Sequence, residues 1–203
     1  MLNRRTTLVT AGLATTLALS ACAPLLVGGA ALSGALMYSD RRTSGAQVED
    51  QAIEFKAGPK VRSVLGERGH VNVTSYNRMV LITGEVPAEA DRATVDQAVA
   101  SIENVRSTVN ETAVMGAASL TARSNDSIIS GKVKAALVDD GEIQATAIKV
   151  VTERAVVYLM GRVTEREAAK AAQVASAVSG VSKVVRVFEI ITEAELQAWQ
   201  AKH

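Results

Sequence analysis

The chain has 203 residues, a formal net charge of +1, 48% hydrophobic residues and only 3% aromatic ones. The near-neutral balance excludes the global basic field of a nucleic-acid binder, and so few rings exclude a base-stacking platform. One cysteine excludes a disulfide within the chain.

Arg4 and Arg5 precede an uncharged run of small and apolar residues over 8–21, the layout of a secretory signal peptide. The run ends in Leu19-Ser20-Ala21-Cys22, which matches the bacterial lipobox. Residues 1–21 are therefore expected to be removed and Cys22 to be acylated, leaving 182 residues. Ala23 follows where an Asp would resemble an inner-membrane retention signal, so the expected place is the outer membrane, lipid-anchored and facing the periplasm. Asn3-Arg4-Arg5-Thr6-Thr7-Leu8 loosely resembles a twin-arginine signal, with the Sec route as the default. Residues 22–45 read as a lipidated tether. Were cleavage to fail, residues 8–37 are long enough to span a bilayer, for which a helix needs about 20 apolar residues.

The rest of the chain says the same thing twice. Val80-Leu81-Ile82-Thr83-Gly84-Glu85-Val86 returns 77 positions on as Val157-Tyr158-Leu159-Met160-Gly161-Arg162-Val163. A solenoid repeats every 20–50 residues or so, and a longer period means a duplicated domain. The boundaries expected are 46–115 and 124–192, joined by a small-residue linker over 116–123 and followed by a tail over 193–203.

In the first copy a helix is expected from about Val48-Glu49-Asp50 and a break at Gly58-Pro59, because proline lacks the donor and clashes with the preceding turn. Val61, Val64 and Leu65 mark a second segment. A hairpin pairs 71–74 with 79–83 about Tyr76-Asn77, a helix carries Val95, Ala98, Val99 and Ile102, and a strand covers 105–114. In the second copy Asn125-Asp126 offers a helix cap, and Ile129, Val133, Ala136 and Leu137 form one helical face up to Asp139-Asp140-Gly141. Strands 149–151 and 156–160 turn at Thr152-Glu153-Arg154. Gly84 and Gly161 are read as breaks where strand gives way to helix. Thr164-Glu165-Arg166-Glu167 is a capping-box sequence opening a helix with Ala171, Val174, Ala175 and Val178. Gly180 closes it and a last strand runs over 181–191. Each copy is thus an α+β two-layer sandwich of order αββαβ, with two helices on one face of a three-stranded mixed sheet.

This order resembles a BON domain, twice. The residues that carry the likeness are the Asp-x-x-Ile openings (Asp50/Ile53 and Asp126/Ile129), the helix ends at Leu65 and Leu137, the Gly-x-Val steps at Gly84 and Gly161, and the run Val-Thr-Glu-Arg-Glu-Ala over 163–168. It covers about residues 46–192, and behind a lipobox it resembles the dual BON-domain outer-membrane lipoproteins. That resemblance implies a non-catalytic module that binds phospholipid and supports outer-membrane integrity, with the second domain the better candidate because Gly58-Pro59 interrupts the first.

The residues add their own argument. On a 100° wheel Ile128, Gly131, Ala135 and Val138 fall opposite Ile129, Val133 and Leu137. Lys132 and Lys134 flank this second apolar face. Such a face suits anionic phospholipid (phosphatidylglycerol or cardiolipin), the lysines contributing about 1 kcal/mol each near a charged surface. Packing against the first domain or the linker, or simple tolerance of these residues on the surface, is the alternative. For the whole protein the alternative is a scaffold for envelope protein partners with incidental lipid contact. His70 and His203 lack companions for a metal, no cofactor motif is present, and no nucleophile elbow or paired carboxylates suggest an enzyme. A short amphipathic helix is expected near 193–202, with Leu196 and Trp199 on it.

Overall fold

The computed structural model describes residues 40–201. The predicted signal peptide, Cys22 and residues 23–39 of the tether lie outside the described residues, as does His203. Thr43 caps α1 (Ser44–Leu65), its hydroxyl accepting from the Ala46 amide at 3.1 Å. Ile53, Ala57, Val61 and Leu65 recur along its buried face. The helix starts earlier than expected and runs unbroken through Gly58-Pro59. Pro59 lies on the solvent side, where water can hydrate the Phe55 carbonyl that it leaves unbonded. Buried residues on either side of it keep the helix continuous.

β1 (His70–Tyr76) and β2 (Met79–Val86) pair antiparallel around Asn77-Arg78, one residue later than expected. Both turn residues are left-handed (φ 51 and 65), the twist that a two-residue hairpin needs. After α2 (Glu89–Ala100) the third strand comes in two pieces rather than one. β3 (Ser107–Asn110) and β4 (Ala113–Val114) both run parallel to β2. Between them the Asn110 side-chain oxygen accepts from the Thr112 amide and hydroxyl at 3.1 and 2.6 Å, a local turn that interrupts the strand although the Glu111 amide still donates to the Ile82 carbonyl at 2.9 Å.

The second domain repeats the plan with α3 (Leu120–Asp140), β5 (Ile148–Glu153), β6 (Val156–Val163), α4 (Glu165–Ser176) and β7 (Lys183–Ile190). The strand order is β5-β6-β7, the last pair parallel. α3 is capped by Ser119, not by Asn125-Asp126, and it takes in four residues read from the sequence as linker. Asp126 is instead buried, and its carboxylate accepts from the amides of Arg154 and Ala155 at 2.8 Å each. Those two residues form the hairpin turn, again left-handed (φ 53 and 60). In the first domain Asp50 does the same for Asn77 and Arg78, at 2.7 Å each. The repeated aspartate therefore braces a hairpin.

Gly84 and Gly161 sit inside β2 and β6 instead of ending them. A Cβ at Gly84 would collide with the His70 carbonyl oxygen, and one at Gly161 with that of Ala147. Close approach of the neighbouring chain, not a strand end, requires glycine there. The Thr164/Glu167 capping box is present as expected. α5 (Glu193–Gln200) carries a second one, Thr192/Glu195, and buries Leu196 while Trp199 is half-buried.

Alternation along the central strands builds three cores. Val80, Ile82 and Val86 face α1 and α2, and Val157, Leu159 and Val163 face α3 and α4. Leu81, with Tyr76, meets Tyr158, Met160 and Val187 between the sheets. The two domains thus stack sheet to sheet with helices outermost, α/β/β/α. Polar contacts ring the apolar seam: Arg154–Glu85 at 3.1 Å, Lys149–Glu54 at 2.8 Å and Arg106–Glu189 at 3.1 Å.

Candidate functional site

α3 supplies the face that the sequence singled out, and the packing shows how it is left free. Its inner stripe (Asp126, Ile129, Val133, Leu137) is wholly committed to its own domain. Ser130 ties the side of the helix to β5 by donating to the Thr152 hydroxyl at 2.7 Å. Gly180 closes over Ile129, close enough that a Cβ there would touch the isoleucine at 3.2 Å. Gly141 ends the helix in the left-handed conformation (φ 71), where a side chain would be strained.

On the opposite side Ile128, Gly131, Lys132, Lys134, Ala135 and Val138 are all exposed. Ile128 keeps 53% of its surface and Val138 66%. The first domain does not cover them. Arg123 and Ser127, at the edge of this face, line a small cavity shared with His70 and Asn72 of the first domain. Neither Lys132 nor Lys134 forms an ion pair among the described residues.

One member of the face was missed. Leu120, 82% exposed, lies on the line of Gly131 and Val138 because α3 begins five residues before the helix start read from the sequence. Ser119 is the signal that finds it: a serine whose oxygen accepts from the amide three residues on, here Ala122 at 3.2 Å. From Leu120 to Val138 the face is about 27 Å long at 1.5 Å per residue. Beside it, Ile128, Lys132, Arg154, Ala155 and Gly180 line an open cavity of about 400 Å³. Apolar tips at one level with cations at the flanks can enter the headgroup zone of a bilayer. They offer no nucleophile or proton relay.

Among the described residues no cluster of His, Cys, Asp or Glu could hold a metal ion, and no helix is long and apolar enough to cross a membrane.

A family model for the BON domain matches residues 58–116 and 125–192. The chain is 36% identical over 181 residues to the outer membrane lipoprotein DolP of Haemophilus influenzae, covering 88% of this chain and 93% of that one. It is 32% identical over 154 residues to a 21 kDa hemolysin of Actinobacillus pleuropneumoniae, covering 75% and 79%. The solved C-terminal domain of CdsD, a structural protein of the type III secretion system of Chlamydia trachomatis, aligns at 11% identity with a TM-score of 0.29 over 66% of this chain and 96% of that one.

Proposed function

The chain belongs to the dual BON-domain outer-membrane lipoproteins, and on that footing we propose that it binds anionic phospholipid through the exposed face of α3 and so supports the outer-membrane barrier. Acylated Cys22 anchors it, and the folded domains face the periplasm. The observation that carries this reading is the exposure of Leu120, Ile128 and Val138 on a helix whose other face is fully used, with Lys132 and Lys134 beside them. A soluble protein gains nothing by exposing such a stripe in water, whereas a bilayer interface takes up the apolar tips and meets the lysines with phosphate.

Two terms set the affinity. Each lysine near an anionic surface contributes about 1 kcal/mol, or roughly fivefold. The apolar tips add about 25 cal/mol for each Å² that they withdraw from water. The first term weakens with salt and the second does not.

The test is sedimentation of residues 40–203 with vesicles of phosphatidylcholine alone or with phosphatidylglycerol or cardiolipin added. Binding should need the anionic lipid, fall as salt rises, and be abolished by Ile128→Glu or Leu120→Glu. Each of Lys132→Ala and Lys134→Ala should weaken it about fivefold. If the protein stays in the supernatant, or Ile128→Glu binds as well as the wild type, α3 is not a lipid site and the domains act as a scaffold for envelope proteins.

A further inference from the structure

α1 is the first domain's counterpart of α3, and its outward face is likewise exposed among the described residues. Val48, Ala52, Phe55 and Pro59 recur at three- and four-residue steps and are all exposed, Phe55 at 81%. The 76-residue step that takes Asp50 to Asp126 takes Ala52 to Ile128 and Phe55 to Gly131. The stripe is a single surface because α1 continues through Pro59. From Phe55 to Leu65 the helix holds three cations, Lys56, Lys60 and Arg62, and no carboxylate. Among the described residues Lys60 and Arg62 form no ion pair, and Lys56 meets Glu103 at 3.0 Å in solvent.

α1 and α3 occupy the two outermost layers, so their stripes point away from each other. With neighbouring layers about 10 Å apart, the helix axes are about 30 Å from one another. A molecule lying on a bilayer through α3 holds Phe55 toward the periplasm, out of reach of that bilayer.

We propose that the outward face of α1 is a second binding surface for anionic phospholipid, so that the anchored protein presents Phe55 and its flanking cations to a second bilayer. The orientation rests on the α3 reading above; the lipid chemistry of α1 does not. An anionic surface fits this face better than a second copy of the chain, because Glu49 and Glu54 of α1 are already paired, with Arg78 at 3.5 Å and Lys149 at 2.8 Å, and leave Lys60 and Arg62 of another copy no free carboxylate on this helix to meet. Glu103 trims the field beside Lys56, so insertion of Phe55 carries more of the binding here than on α3, and salt weakens it less.

The experiment uses the full acylated chain in phosphatidylcholine vesicles, challenged with labelled, protein-free vesicles of phosphatidylcholine with or without phosphatidylglycerol. Ile128→Glu is introduced first, so that α3 cannot reach across. Vesicles carrying Ile128→Glu should capture the phosphatidylglycerol vesicles at least about fivefold better than the neutral ones. Adding Phe55→Glu should abolish capture, and since Phe55 is outside the core the double variant should melt where Ile128→Glu does. Three results overturn the proposal: no capture by Ile128→Glu, capture that survives Phe55→Glu, or clustering of the protein-bearing vesicles with one another when no acceptor is present, which identifies a second copy as the occupant. Failure of the α3 reading shows separately, as unchanged sedimentation of Ile128→Glu.

Discussion

Removing the guanidinium of Arg41 should destabilise the fold by about 2–4 kcal/mol, although the residue precedes the first helix. Arg41 is 2% exposed and reaches into the second domain. Its two terminal nitrogens each donate to the Glu167 carboxylate at 2.7 Å, and they also reach the Arg162 carbonyl at 2.9 Å and the Gln144 side-chain oxygen at 3.1 Å. Arg41→Met keeps most of the side-chain volume and strands Glu167 in a site where its side chain is 5% exposed. Breaking a buried pair from one side costs about 3–5 kcal/mol. The Thr164 amide, which already donates to Glu167 at 2.9 Å at the start of α4, offsets about 1 kcal/mol of that.

The pH dependence provides a second check. Burial opposes ionisation of Glu167, but its hydrogen bonds to Arg41 outweigh this and hold the carboxyl below its ordinary 4.5. The native state therefore binds this proton less readily than the unfolded chain. The stability it contributes is present in full above pH 4.5 and is lost as pH falls through the depressed native value. The gap between wild type and Arg41→Met should accordingly narrow as the pH drops from 7 to below 4.5. Urea unfolding of residues 40–203 across that range measures both effects. A loss under about 1 kcal/mol at pH 7, or a gap indifferent to pH, would refute the assignment of a buried, ionised pair.

Glycine substitutions should divide by environment. Gly84→Ala and Gly161→Ala drive a methyl into a backbone carbonyl and should lower thermal stability by several kcal/mol, whereas Gly131→Ala has open space and should raise it by about 0.5–1 kcal/mol. Asp50→Ala should cost about 3–5 kcal/mol and Asp126→Ala about 2–3 in the same melts. Asp50 also holds the Ser75 hydroxyl at 2.6 Å and Arg42 at 2.7 Å, in addition to its two turn amides. Equal losses for the two aspartates would show that the extra partners of Asp50 add nothing.

The elements of each domain were legible because local chemistry dictates them. The apolar period of 3.6 in α3 and α4, the β-branched runs of β2 and β6 and the Thr164/Glu167 box each involve residues a few positions apart. Duplication then made each copy a check on the other. The second apolar stripe of α3 was legible for the same reason, since a helix with two such stripes can bury only one against its own sheet, but that the first domain leaves it exposed was not. What failed locally was a competition between signals. Gly58-Pro59 reads as a break, but buried Ile53, Ala57, Val61 and Leu65 on either side outweigh one lost hydrogen bond. Asn125-Asp126 reads as a cap, and the true cap, Ser119, was hidden in a linker-like run of small residues.

The sequence by itself determined two α+β domains, their repeat, their order behind a lipobox and the stripe from Ile128 to Val138. Only the tertiary structure decided what those features face. The roles of Asp50 and Asp126 depend on hairpin turns nearly 30 residues away, and those of Gly84 and Gly161 on the carbonyls of a neighbouring segment. Arg41 meets Glu167 across 126 positions. The back-to-back stacking through Tyr76, Leu81, Tyr158 and Met160 turns α1 and α3 to opposite sides. No periodicity records such pairings, because each depends on which surfaces the folded domains bury against one another.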